Sequence, residues 1–322
     1  MFKKYKVVIT LWVVLDISMI LFAIWLGKRL FAEEEIIQAT QEIQIDDDSD
    51  EEIIEGRNEM QLRKDGVLNS YEIIEGKLYG WGENNYGQLG LGKVDDLGTK
   101  YTEPVYIADS IIHVDTYIGE TVVFLNDKSE LYGIGNNMDG QLGVPIEQKG
   151  RSRSEKQYVT EPTLIATNVR YAAVGLDFIL VLKKDGKLYV MGDNGNGQLG
   201  DGKAKPDIER EYDYDNTPFS YELKYVMGGV AYIACGGQTA AAISYNGELW
   251  MWGDNSHGEV GNRIVGNKMP VYRVNIVSKP YLTMKQVEKV WFDKDTVYAE
   301  TDTGETWVWG EGYAALPKKI ED

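Results

Sequence analysis

The chain holds only two histidines, His113 and His257, and one cysteine, Cys235, the residue types most often used as general base, thiol nucleophile or transition-metal ligand. Neither histidine has a metal-ligand or nucleophile partner beside it in sequence. His257 fills a variable slot held by Tyr86, Asp139 and Asn196 in sister segments, so it reads as a surface residue. Cys235, in AYIACGG, reads as a small buried hydrophobe, and a single cysteine excludes an internal disulfide framework or a multi-cysteine metal site. With 51 Asp and Glu, no carboxylate pair stands out for acid–base work. Asp46, Asp48 and Asp50 imitate the start of a calcium loop, but Glu51 stands where the sharp turn needs Gly and Arg57 where the bidentate Glu belongs. The expectation is therefore a non-enzyme with no catalytic residue, no cofactor and no metal site.

The elements that carry these residues begin with an apolar run of 21 residues, 7–27, interrupted by Asp16 alone. A helix of that length rises roughly 30 Å, the thickness of a bilayer core. Asp16 costs about 3 kcal/mol near the centre, and the surrounding Leu, Ile, Val and Phe outweigh it at about 0.3–0.6 kcal/mol each. Lys3, Lys4 and Lys6 precede the run, against Lys28 and Arg29 after it, which favours residues 1–6 in the cytoplasm. A cleaved signal peptide is the alternative, although its apolar region is normally 7–15 residues. Residues 33–55 hold eleven acids and no Lys or Arg, so 28–58 reads as an acidic disordered stalk. The remainder, 59–322, is expected at the cell membrane on the extracytoplasmic side. Residues 1–32 sum to +4 and 33–66 to −10, which leaves −12 of the total −18 for the rest. Such a surface lacks the basic footprint of a nucleic-acid binder.

A repeat sets the fold. LYGWGENNYGQLG (78–90), LYGIGNNMDGQLG (131–143), LYVMGDNGNGQLG (188–200) and LWMWGDNSHGEVG (249–261) nearly superimpose, with a truncated fifth copy, TWVWGEGYAAL (306–316). From Tyr79 through Tyr132, Tyr189 and Trp250 to Trp307 the spacings are 53, 57, 61 and 57, the length of one four-stranded blade. Apolar stretches such as VVFL, FILVL and TAAAI lead into hairpin turns at Asn126-Asp127, Asp185-Gly186, Asn246-Gly247 and Thr303-Gly304, with a type I′ turn expected at Gly247. An outer strand opens on proline, at Pro104, Pro162, Pro218, Pro270 and Pro317, because an edge does not ask for the missing N–H. The expectation is an all-β β-propeller of about five four-stranded blades, near 59–110, 111–167, 168–228, 229–285 and 286–322, preceded by one transmembrane helix. Residues 59–66 would open the first blade. The ring closes within the chain or is completed by a second chain.

Gly82, Gly135, Gly192 and Gly253 end the inner LYxxG strand and permit a sharp exit. Asn84, Asn137, Asn194 and Asn255 can bond their own backbone two residues on. Gly87, Gly90, Gly140, Gly143, Gly197, Gly200, Gly258 and Gly261 complete these structural turns. No helix and no Lys-Ser/Thr pair follows, so the glycines do not cradle phosphate. The units resemble the repeats of the regulator of chromosome condensation family, whose blades carry a similar W-G-x-N-x-x-G-Q-L-G segment. The resemblance covers roughly 60–318; with the span read at 7–27, the chain would be a bacterial-type, membrane-anchored member. Familiar members are seven-bladed and act as exchange factors or protein-binding modules, including bacterial inhibitors of β-lactamase. This chain departs in having five units, an anchor and an acidic balance, so exchange activity is not carried over to any residue.

What differs between units points to binding. The loops between the G-Q-L-G segment and the next proline hold 13, 18, 17 and 8 residues, all on one face of an up-and-down blade. One is basic (Lys149, Arg151, Arg153, Lys156) and the next acidic and aromatic (Tyr212, Tyr214). These residues are the candidate contacts to a protein partner, with an envelope glycan as the alternative ligand.

Overall fold

The computed structural model describes residues 63–146, 157–204, 218–263 and 275–321. The chain divides into two units, Met1–Ile53 and Ile54–Asp322. The first unit, with the expected span over 7–27 and most of the stalk, lies outside the described residues, among which no helix is long and apolar enough to cross a membrane.

The described residues form five four-stranded sheets, each made of four consecutive strands. Blade 1 holds β1 Arg63–Asp65, β2 Asn69–Ile74, β3 Lys77–Glu83 and β4 Lys100–Ala108. Blade 2 holds β5 Ile111–Asp115, β6 Thr121–Asn126, β7 Leu131–Asn136 and β8 Tyr158–Ala166. Blade 3 holds β9 Val169–Val174, β10 Phe178–Lys183, β11 Leu188–Asp193 and β12 Phe219–Met227. Blade 4 holds β13 Val230–Gly236, β14 Thr239–Ser244, β15 Leu249–Asp254 and β16 Ile276–Met284. Blade 5 holds β17 Val287–Asp293, β18 Thr296–Thr301, β19 Thr306–Gly310 and the short β20 Lys318–Lys319.

Period-2 alternation decides what each blade covers. The middle strands of blades 2, 3 and 4 are apolar on both faces, and β6 is buried along its whole length. In blade 1, Asn69, Tyr71 and Ile73 are buried while Ser70, Glu72 and Ile74 are not; β18 of blade 5 alternates in the same way. Each of four apolar cores fills one seam between consecutive blades. In the seam between blades 3 and 4, Trp252 is fully buried, with Ala240 in register beside it. Burying a side chain of Val to Phe size contributes about 1.5–3 kcal/mol, so the seams dominate the stability of the array.

Two local expectations change. The hairpins of blades 3 and 4 are three-residue loops in which Gly186 (φ 73°) and Gly247 (φ 74°) follow a type I turn, instead of two-residue type I′ turns. In blade 2 the positive φ falls on Ser129 instead of Asn126 or Asp127, the loop position that Gly186 and Gly247 take in blades 3 and 4, and Asn126 Oδ1 accepts the N–H groups of Lys128 and Glu130. The type I′ geometry appears in blade 1, at Glu75-Gly76. The recurring outer-strand proline is Pro104, Pro162 and Pro280, within β4, β8 and β16. Pro218 and Pro317 only precede their strands, and Pro270 lies outside the described residues.

Candidate functional site

In every blade the connections from first to second strand and from third to fourth emerge on one face of the array, and the repeat segment builds that face. Asn84, Asn137, Asn194 and Asn255 bond the backbone five residues on, not two: Oδ1 accepts the N–H of Leu89, Leu142, Leu199 and Val260 at 2.8–3.0 Å. The two-residue contact is made by the preceding position, where Asn136, Asp193 and Asp254 accept the N–H of Met138, Gly195 and Ser256. Gly135 (φ 100°) shows why glycine is required at the strand exit: a Cβ there would lie 2.0 Å from the Glu120 carbonyl oxygen. Each segment then leans on the outer strand of the next blade, as Gly92 N to Thr160 O and Gly202 N to Ser278 O show, both at 2.8 Å. The long loops are tied at their feet by Asn137 N to Gln157 O at 3.0 Å and Asn194 N to Pro218 O at 2.7 Å. Lys149, Arg151, Arg153, Lys156, Tyr212 and Tyr214 lie outside the described residues.

Between blades 1 and 2 this face carries a groove of about 280 Å³ lined by Asn85, Tyr86, Val94, Asp95, Asp96, Leu97 and Tyr158. Tyr86 and Tyr158 meet edge to face at 5.4 Å. Leu97 is 82% exposed on the rim. Asp95 is held by Asn84 Nδ2 at 2.9 Å, the Tyr101 hydroxyl at 3.0 Å and Lys93 Nζ at 2.7 Å. Burial, with the charge of Glu120 second, pushes the Tyr86 hydroxyl up to about 12, and burial also raises Glu120 itself. Tyr86 is thus a neutral donor at physiological pH, in surroundings that favour a cationic and partly apolar visitor.

A second cluster lies where blades 4 and 5 meet. His257 Nδ1 is 3.2 Å from Glu259 Oε1 and 3.8 Å from Asp295 Oδ2. Among the described residues this is the group that could hold a metal ion, its donor atoms all within 4.8 Å of one another. The fold thus sets beside His257 and its sequence neighbour Glu259 a third group that sequence spacing did not show, Asp295, from the β17–β18 turn of the next blade. His113, by contrast, is fully buried, with Nε2 3.0 Å from the Ala172 carbonyl oxygen and its ring 4.3 Å from Tyr171. Cys235 packs against the core of blades 3 and 4, where burial pushes its thiol well up.

Comparison with known proteins agrees with this architecture. The Regulator of chromosome condensation (RCC1) repeat signature matches residues 75–114 and 185–243, and a second form of it matches 169–198 and 230–259. These matches fall mainly on blades 1, 3 and 4, so those blades are similar to RCC1 repeats, and the solved structures show a shared propeller fold. Secretion-regulating guanine nucleotide exchange factors of mouse and cattle are 25% and 27% identical over 76% of this chain, which spans 62% and 52% of their length. The dog X-linked retinitis pigmentosa GTPase regulator is 33% identical over 50% of this chain and 15% of its own. Among solved structures, Prp20p of Saccharomyces cerevisiae (TM-score 0.61, 62% of that chain) and human WBSCR16 (0.62, 66%) share the fold at 20% identity over 80% of this chain.

Proposed function

We propose that this chain is a membrane-anchored propeller that docks a protein partner on its loop face. The observation that carries the reading is the groove between blades 1 and 2, where Tyr86, Tyr158 and exposed Leu97 stand beside Asp95 and Asp96. Aromatic anchors with acids around them suit a basic, partly apolar segment of a partner. The relatives support a regulatory binding role by name, and the yeast fold relative is described with its binding to Gsp1p and histones. The apolar run 7–27 and the acidic stretch after it support an anchor with the propeller outside the cytoplasm.

A photo-crosslinking amino acid at Leu97, in the native membrane, tests the docking reading. A discrete protein adduct from that position, absent when the crosslinker sits at exposed Ile320 just after the last strand, is expected. Adducts that do not depend on position would remove the groove as the docking site, and capture of glycan alone would favour the envelope-glycan alternative. Protease added to intact cells tests the topology: loss of the propeller supports it, and protection reverses the orientation.

A further inference from the structure

The loop-face segment of blade 4 departs from its three sisters at two neighbouring positions. Gln88, Gln141 and Gln198 each accept the N–H two residues back through Oε1, at 2.8–2.9 Å. Their Nε2 donates to a neighbour, which in blade 3 is Asp193 Oδ2 at 3.0 Å. Blade 4 has Glu259 instead. Its Oε2 keeps the acceptor role toward His257 N at 2.9 Å, but its other oxygen has no proton to donate. Where blade 3 has Asp193, blade 4 has Asp254, so a carboxylate stands beside a carboxylate where a sister blade makes a hydrogen bond. The Glu259 side chain is only 2% exposed, which leaves little water to screen the pair. An arrangement of this kind is costly unless a cation neutralises it.

The second departure supplies a ligand. His257 replaces Tyr86, Asp139 and Asn196 and points Nδ1 between Glu259 and Asp295, with its own side chain 48% and that of Asp295 40% exposed. We propose that His257, Glu259 and Asp295 bind one divalent transition-metal ion, zinc in the first instance, across the seam between blades 4 and 5. One imidazole with two carboxylates is a borderline donor set that suits zinc, whereas calcium takes six to eight oxygens. Ligands about 2.0–2.2 Å from a tetrahedral zinc lie roughly 3.3–3.6 Å from each other. The observed separations of 3.2 and 3.8 Å fall on either side of that range, so small movements of the two part-exposed side chains close the site. A fourth position is left for water.

The electrostatic surroundings agree. Burial, then the charge of Asp254, raises the Glu259 carboxyl; burial, then Glu311, raises that of Asp295, against the opposing pull of His257 and Lys294. Burial alone would lower His257, yet Glu259, Asp295 and Glu311 hold it above its ordinary value.

The test titrates zinc chloride alone into the untagged, metal-stripped full chain in detergent, near neutral pH, by calorimetry. One saturable site of micromolar affinity is expected, with a rise in melting temperature on zinc addition. Glu259→Gln installs the amide that three sister blades carry, so the variant should fold, yet bind zinc at least tenfold more weakly and lose the zinc-dependent rise. His257→Asn, the residue of blade 3, should do the same. Asp295→Asn, at a part-exposed position, keeps the question decidable if either of the others misfolds. Zinc binding that is absent in the wild type, or equally tight in these variants, overturns the site and leaves the His257–Glu259 pair as a hydrogen bond only.

Discussion

Trp309 of blade 5 donates its indole N–H to the main-chain carbonyl of Glu259 in blade 4, at 2.6 Å, and Trp252 makes the same bond to Gln198 one seam earlier, at 2.7 Å. Both rings are fully buried, so each acceptor carbonyl has traded water for one indole. Trp309→Phe keeps most of the ring and deletes the donor. It should destabilise the propeller by about 1–3 kcal/mol, the range for a buried acceptor left unsatisfied. Trp309→Ala should cost about 3–5 kcal/mol, because it also opens a cavity. Urea unfolding with an unchanged slope measures both, and a Trp309→Phe variant as stable as wild type would show that the ring, not its N–H, holds the seam.

Two glycines with similar backbone angles should differ sharply on substitution. Gly304 has φ 79° and open space around the Cβ position, so Gly304→Ala should cost about 1–2 kcal/mol, the strain of a left-handed conformation. Gly135 has φ 100° and a main-chain oxygen 2.0 Å from that position. Gly135→Ala should cost about 3 kcal/mol or more, since overpacking adds to the strain. Thermal melts of the two variants side by side decide the matter, and similar values would contradict the tight exit from the inner strand.

Acid should weaken the propeller through His113. Burial lowers its basicity, outweighing the opposing effects of Asp115 and the Ala172 carbonyl, so the folded pKa lies below the ordinary value of 6.5. The unfolded chain then binds more protons than the folded one as pH falls past 6.5, and the stability tied to neutral His113 is lost toward the folded pKa. Above 6.5 this contribution is flat. Unfolding free energies of wild type and His113→Gln between pH 5 and 8 should diverge in slope only below that point, and parallel curves would show that His113 does not titrate differently on folding.

Leu97 separates binding from folding. Being 82% exposed, it should tolerate Leu97→Asp with less than about 0.5 kcal/mol change in stability. The same change puts a third acid beside Asp95 and Asp96 and removes an apolar contact, and should lower partner capture at least tenfold if Leu97 is an anchor. Unchanged capture would move the search to the loops around Arg151 and Tyr214.

The blades were legible because the LYxxG strand and its turn repeat almost without variation, and each repeat can bury its apolar faces only against the next. Turn types were less legible. Asn126 looked like a positive-φ residue, yet the three-residue loop puts the left-handed angle on its last residue, Ser129, as it does on Gly186 and Gly247. Pro280 is masked in the sequence because Pro270 also precedes an aromatic-containing apolar stretch; the pairing of Tyr281 with Met251 puts Pro280 within β16. The His257–Glu259–Asp295 cluster was not legible as a site, since Asp295 is remote in sequence and lies in a turn with no motif. Its one signal was the exchange of Gln for Glu in a repeat that otherwise keeps the amide.

Every sheet in the described residues is built from strands that follow one another in the chain, and none mixes strands from distant parts of it. Mechanically, this makes the array a row of separate zippers. Tension applied between its two ends would not have to shear a shared sheet before anything gave way. An outermost blade would peel strand by strand, while its neighbours keep their own hydrogen bonds. Single-molecule pulling should therefore give a staircase of similar steps, each releasing one repeat of roughly 55 residues, or on the order of 190 Å of extended chain at about 3.4 Å per residue. A partner lying across a seam would be felt as an added barrier at one step of that staircase.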